Sequence, residues 1–372
     1  MTTHHNFDPN ELKANHSAFA HHRRLTREIS DLLIIAAHRG WTPHDLRAVA
    51  GSGIDPLLVD AQLHVHGSAT YAVRTAWQRQ CRSCHTLPPA GRDLEMIKLR
   101  LENLPRLRDA DIVTDVDYLD VLCDVVREDA HGTTAPHARS EEKRIRQRIN
   151  HLLRKAESTT YEAEAASLVA KAQQLRQRYR LDRVADEPRT WENSQLVSVR
   201  VHLTGTWVRY QFLLLSHVAR PNSCESILVS SVNIASVIGH PEDVRHVIEL
   251  FEGLNRQRDY FMRTSPGAQE AALARQTASY RRSFLVAFAH RIGALLTIAN
   301  DDVPAQRAGD GTALEVLKHR GAAASEFMGS VFNSASNMSF SPTHRQGFVD
   351  GINAATNSHR STTTPVIADR AG

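Results

Sequence analysis

The amino-acid sequence predicts a mainly α-helical protein with a small α+β domain in its C-terminal half and a central αα-hairpin. Three observations carry this expectation. Apolar residues recur at helical spacing through most of the chain, one stretch (195–203) alternates apolar and polar side chains, and one block (141–183) reads as two amphipathic helices joined by a short turn. At 372 residues the chain is roughly two to three times a usual domain length, so more than one domain is expected. A hydrophobic fraction of 41% and a charged fraction of 23% exclude a disordered, collagenous or disulfide-rich chain.

The first helix opens at Asp8-Pro9-Asn10-Glu11, an N-cap followed by Pro at N1 and Glu at N3. Its apolar stripe runs through Leu12, Phe19, Leu25, Ile29, Leu32, Leu33 and Ala36 until Gly40 stops it. Thr42-Pro43-His44-Asp45 starts a short helix to Ala50, Gly51-Ser52-Gly53 closes it, and Asp55-Pro56 starts a third to about Leu63. Three short helices around glycine turns fit a helix-turn-helix reader of DNA and equally any compact helical domain. Further helices are expected over 70–80, 92–104 and 115–128, which completes a helical N-terminal domain over 1–128. Residues 129–140, small and polar with Pro and Gly, read as a linker.

The hairpin over 141–183 is the clearest block. Ile145, Ile149, Leu152, Leu153 and Ala156 share one face of its first helix, and Ala165, Leu168, Val169, Ala172, Leu175 and Tyr179 share one face of the second. Ser158-Thr159-Thr160 forms the turn, with Thr159 and Glu162 as a capping-box pair. An α+β domain over 194–356 follows: a strand over 195–203, a helix over 207–219, strands over 223–229 and 233–238, and a long helix from Pro241 to about Met262. One helix is expected over 269–299, then helices near 322–332 and 342–355 and a flexible tail over 357–372.

Charge is distributed unevenly. Lys+Arg 45 against Asp+Glu 41 gives a net +4, yet the hairpin alone holds eleven Lys/Arg against six Asp/Glu, a net +5. Arg144, Arg148, His151 and Lys155 fall at i, i+4, i+7 and i+11, one stripe beside the apolar face. On the second helix Lys171 and Arg178 form a stripe, and Arg176, Arg180 and Arg183 cluster at its end. Such a stripe suits phosphate contact with a DNA or RNA backbone, a solvated surface, or an acidic protein partner.

The run Arg144-Ile145, Leu152 to Thr159, Glu162 to Ala166 and Ala170 to Gln173, with Leu175 and Tyr179, resembles the bacterial and phage family catalogued as domain of unknown function 2786. Downstream, Trp207, Gly239 to Val244, Tyr280 to Phe288 and the Gly347/Gly351 helix are similar to the domain of unknown function 7168 that usually follows it. Gly40-Trp41-Thr42-Pro43-His44-Asp45-Leu46 resembles a segment found upstream of the hairpin in actinobacterial members. The resemblance implies this architecture and no activity, because the family has none assigned.

Motifs for chemistry are few. Cys81-Arg82-Ser83-Cys84-His85 has the spacing of c-type haem attachment, which requires export; no apolar signal segment is visible at the N-terminus, so a cytoplasmic location and no haem are expected. His64, His66, Cys81 and Cys84 offer two imidazoles and two thiolates to zinc, with His85 as a substitute, and this is the one cofactor the sequence offers. The longest strongly apolar stretch, 32–37, is far too short to cross a bilayer, so no membrane association is expected. Metalloprotease, P-loop, serine-hydrolase and Rossmann signatures are absent. The expectation is a non-enzymatic nucleic-acid-associated or adaptor protein using Arg144, Arg148, Lys155, Lys171 and Arg178. The alternatives are a metal-dependent hydrolase or nuclease built around Asn222, His240, Glu242 and Asp243 (His246 lies at the same helix start), and a purely structural protein–protein interaction module.

Overall fold

The computed structural model of the chain describes residues 9–65, 67, 69–84, 91–119, 121–122, 136–186, 196–303, 310–332, 336 and 338–356. The chain divides into two compact units, Met1–Asp115 and Val116–Gly372. Mainly helical, with a small α+β region, it has the fold class that its periodicity predicts.

In the first unit, α1 (Pro9–His38) ends at Gly40, whose φ of +92° favours glycine; an added Cβ would also stand 2.7 Å from the Leu107 carbonyl oxygen. α2 (Pro43–Ala50) starts with a reciprocal capping box: Thr42 donates through N and Oγ1 to Asp45 Oδ2, and Asp45 N donates back to Thr42 Oγ1. α3 (Asp55–Gln62), α4 (Tyr71–Gln80, capped by Thr70), α5 (Gly91–Leu101) and a two-residue strand β1 (Val113–Thr114) follow. Ile29, Leu33, Leu46, Leu58, Trp41 and Trp77 form the core, and each indole donates to a carbonyl, Trp77 to Trp41 and Trp41 to Pro105. The stripe of α1 reaches this core from Leu25 onward; Phe19 is 62% exposed and lies under the Arg23 guanidinium instead. The helix expected over 115–128 belongs to the second unit from Val116 onward, where it begins as a 3₁₀ turn at Val116–Tyr118 and then passes largely outside the described residues.

In the second unit the hairpin consists of α6 (Pro136–Ser158) and α7 (Glu162–Asp186). α6 starts five residues ahead of Glu141, with Pro136 in the first-turn position that a proline suits. The turn differs from its expected chemistry. Thr159 Oγ1 accepts from Tyr161 N and donates to Glu164 Oε2 at 2.7 Å, while Glu162 accepts from Ser265 Oγ. Because α7 begins at Glu162, its N-cap position falls on Tyr161, whose carbonyl accepts from Ala165 N, and Glu164, the third helical residue, reaches back to Thr159 two residues ahead of the cap.

Three strands of this unit, β2 (Val197–His202), β3 (Glu225–Val229) and β4 (Ile234–Gly239), pair antiparallel in the order β2-β4-β3. β4 is central and buried along its whole length, and β3 is a half-buried edge. α8 (Val208–Ala219) connects β2 to β3, and α9 (Pro241–Thr264) leaves β4 directly. The single helix expected over 269–299 is two, α10 (Pro266–Leu273) and α11 (Thr277–Asp301). Arg275 adopts φ +57° between them, and Gln276 N reaches the Ala271 carbonyl at 2.7 Å, a Schellman-type end without the usual glycine. α12 (Asp310–Val331) and α13 (Arg345–Thr356) complete the unit. α11 is long and apolar enough to cross a membrane by length and composition, but 67% of that apolar window is buried within the protein. α7 packs against α6, α11, α12 and α13, so the hairpin is built into this unit.

Candidate functional site

α6 has two chemically opposed faces. Ile149 and Ala156 are buried, with Leu153 half-buried beside them, and Gln257 Nε2 from α9 donates to the Ala156 carbonyl. Arg256 of α9 pairs with Glu157, and Arg146 reaches Glu249 at 3.4 Å, so α6 is tied to α9 along its inner edge. Outward, Arg144, Arg148, His151 and Lys155 stand exposed in one row, flanked by exposed Lys143 and Arg154. From residue 143 to residue 155 the row is about 18 Å long at the helical rise.

The structure sorts the five predicted binding residues. Arg144, Arg148 and Lys171 are exposed and have no ion-pair partner among the described residues. Lys155 is exposed but shares Glu164 at 3.1 Å, and Arg178 is half-buried against Asp182 at 3.1 Å. The cluster at the end of α7 is divided: Arg183 is part-exposed, but Arg176 and Arg180 are 5% and 3% exposed and point into the protein.

There they meet residues singled out for the hydrolase alternative. Arg176 Nη2 donates to Asp243 Oδ1 at 3.0 Å, and Arg180 Nη2 to Asp243 Oδ2 at 3.3 Å and Ser223 Oγ at 2.8 Å. Gln173 donates to Asn222 Oδ1 and Asn300 Oδ1, and its own oxygen faces His246 Nε2 at 3.3 Å. Arg183 approaches Glu242 at 3.7 Å. Asp243 is the third residue of α9, where a carboxylate also favours the helix dipole. Burial by itself would raise its carboxyl, but Arg180, Arg176 and Arg320 hold it below the ordinary carboxylate range. Both carboxylate oxygens are therefore used by guanidinium groups. Among the described residues no group of three His, Cys, Asp or Glu side chains is placed to hold a metal ion.

Residues 144–183 match the family model described as protein of unknown function, DUF2786. The matched segment thus contains both features: the outward basic row of α6 and the two inward arginines of α7. No curated protein and no solved structure matches the chain.

The buried histidines beside Arg176 and Arg180 have a measurable consequence. Burial pushes His240 down to about 4, with Arg320 and Arg176 adding to the effect against Asp243 and Glu242. His246 is driven well below its usual value by burial and by Arg176, Arg180 and Arg245 against Asp243. Unfolding restores the ordinary pKa, so below pH 6.5 the unfolded chain takes up protons that the folded chain refuses. Stability present above pH 6.5 should fall as the pH drops toward 4, by about 2–3 kcal/mol from His240 alone. Urea denaturation at pH 7 and pH 4.5 measures this. His240→Gln should show a shallower loss than the wild type, and an unchanged slope would refute the assignment.

The four predicted zinc ligands are less completely placed. Cys81 is buried, Cys84 half-buried and His64 exposed, while His66 and the substitute His85 lie outside the described residues. Burial pushes the Cys81 thiol up to about 12. Burial and then Asp55 raise the Cys84 thiol, against the opposing Arg47.

The sequence did not single out the inward turn of Arg176 and Arg180, although a signal was present. The buried positions Ala165, Val169 and Ala172 of α7 continue at helical spacing through Arg176 and Arg180, so both arginines extend the apolar stripe rather than the solvent face.

Proposed function

We propose that the protein is a non-enzymatic nucleic-acid-associated protein whose α6 row contacts the phosphate backbone. The exposed Arg144 and Arg148, without an ion-pair partner among the described residues, carry this reading, because they stand on a helix whose other face is fixed to α7 and α9. A rigid row of cations meets a polyanion without losing much side-chain support, and each phosphate neutralised releases counterions. Lys155 joins by exchanging Glu164 for phosphate, and Lys171 extends the positive surface on α7. Arg178, held by Asp182, has a lesser part.

The region over 194–356 is read in the same proposal as the domain of unknown function 7168 that accompanies such hairpins. We favour this proposal over the hydrolase alternative because both carboxylate oxygens of Asp243 accept from arginines. A purely structural interaction module stays the competing reading, and the binding experiment separates the two.

Fluorescence anisotropy with a labelled duplex, from 50 to 200 mM NaCl, is the test. Three to four phosphate contacts predict a loss of affinity of roughly 40- to 150-fold across that range. Arg144→Ala with Arg148→Ala should reduce the slope of log K against log salt by about 2. Absence of binding by the wild type at 50 mM, with both duplex and single-stranded probes, would overturn the proposal.

A further inference from the structure

The motif Cys81-Arg82-Ser83-Cys84 has no part in the proposed nucleic-acid contact, and its geometry is specific. Cys81–Ser83 is a 3₁₀ turn that continues the end of α4, closed by Cys84 N donating to the Cys81 carbonyl at 3.2 Å. Side chains three apart on such a turn eclipse one another, and a rise of about 2 Å per residue sets their Cα atoms about 6 Å apart. That separation lies inside the range a disulfide spans, about 4.4–6.8 Å. Both thiols lie at this helix end: Cys84 Sγ also donates to the Gln80 carbonyl at 3.7 Å, in the turn just ahead of Cys81.

Their surroundings differ. Cys81 is 6% exposed and directs its Sγ to the Leu58 carbonyl at 3.7 Å. Cys84 is half-buried, and Arg47 Nη2 donates to its Sγ at 3.2 Å. Arg47 is itself held by the buried Asp55 through Nε at 2.8 Å and Nη2 at 3.3 Å. A guanidinium locked on a buried carboxylate and resting on a reachable sulfur favours the thiolate of that sulfur over the thiolate of its neighbour. A purely structural cysteine pair needs no such contact.

We infer that Cys81 and Cys84 are a reversible dithiol–disulfide site, with Cys84 the residue that reacts first and Cys81 the one that resolves it, and with a peroxide as oxidant. Cys84 loses its proton to solvent, and its sulfur attacks one peroxide oxygen. An S–O bond forms, the O–O bond breaks, and the departing hydroxide takes up a proton to become water. The sulfur of Cys81 then attacks the sulfenic sulfur; the S–S bond forms, the S–O bond breaks, and hydroxide leaves with the Cys81 proton as a second water. Two thiols have lost two electrons and one hydrogen peroxide has become two waters. A thiol reductant reverses the change. Formation of the bond withdraws the Cys81 sulfur from the Leu58 carbonyl and removes the partial negative charge that Arg47 contacts on Cys84, so the end of α4 and its seat against α2 and α3 respond to redox state.

Trypsin reads the outcome directly because it cuts at Arg82, between the two cysteines. The full chain is treated with hydrogen peroxide, free thiols are alkylated, and the digest is analysed by mass spectrometry without reduction. The expected product joins peptide 80–82 to peptide 83–92 through a disulfide, and dithiothreitol dissolves it. Cys81→Ser, checked for folding by circular dichroism, should instead accumulate a dimedone-reactive sulfenic acid on Cys84, and Cys84→Ser should leave Cys81 alkylatable after the same exposure. Three results would each overturn the inference: both cysteines alkylated after peroxide, Cys84 carried on to sulfinic acid in the wild type while Cys81 stays free, or Cys84 joined to Cys123, Cys224 or a second chain.

Discussion

Asp243→Ala should destabilise the C-terminal unit by about 3–5 kcal/mol, the usual result of removing one partner from a buried ion pair. Asp243 is 1% exposed and is the anion on which Arg176 and Arg180 both converge. Its loss leaves two guanidinium groups next to each other in a site nearly closed to water. Gln173, Gln177 and Ser223 offer neutral acceptors and donors there but no compensating charge. Asp243→Asn keeps the shape and should still lose most of the stability, which separates the charge from the packing. Replacing the whole set, with Arg176→Met, Arg180→Leu and Asp243→Leu, should recover most of what the single change removes, because a well-packed apolar group has no desolvation cost. Equilibrium denaturation of the four proteins at pH 7 decides the matter. A loss below about 1 kcal/mol for Asp243→Ala would show that the arginines find other anions and that Asp243 is not the centre of the node. The node joins α7 to the first turn of α9, and α9 in turn holds α6 through Gln257 and Arg256, so a weakened node should also loosen the support beneath the basic row.

Local chemistry made much of this fold legible in advance. The Thr42–Asp45 capping box, the alternation that became β2, the Gly239-His240-Pro241 junction and the apolar faces of α6 and α7 each express a periodicity or a cap that acts over a few residues. The misreadings have a common physical origin in contacts between residues far apart in sequence. Arg275 ends α10 in a left-handed conformation that no glycine or proline announces, because the packing of α10 and α11 selects it. Glu162 leaves the hairpin turn for Ser265, about a hundred positions later. For the site, residue type argued the wrong way at Arg176 and Arg180: arginine is usually solvated, and Asp243, 67 and 63 positions away, supplies the charge that makes burial of these two tolerable. The exposed row of α6 was legible because a solvated face needs no partner, and helical spacing alone defines it.

Gly347→Ala and Gly351→Ala test a backbone contact within the same unit, and each should cost about 2–3 kcal/mol. α13 lies along α11 so closely that a Cβ on Gly347 would stand 2.4 Å from the Tyr280 carbonyl oxygen, and one on Gly351 2.4 Å from that of Phe284. Both obstacles are backbone atoms of a helix buried over much of its length, so neither can rotate aside as a side chain would. Helix propensity opposes the clash, since alanine is favoured over glycine by up to about 1 kcal/mol in a helix interior. The net effect is therefore a direct reading of how tightly the two helices are held. Displacement of α13 also disturbs Asp350, which accepts from Tyr280 Oη at 2.7 Å and from Gly267 N at 2.9 Å and so connects α13 to both α11 and α10. Because the two methyl groups force the same outward movement, the double variant should lose less than the sum of the single losses. Gly329→Ala in α12 supplies the contrast: nothing lies within 4 Å of its added Cβ, so propensity acts alone and stability should rise by up to about 1 kcal/mol. Thermal or urea unfolding of the four variants separates the two contributions, and a stabilised Gly347→Ala would mean that α13 does not approach α11 as closely as the backbone contacts require.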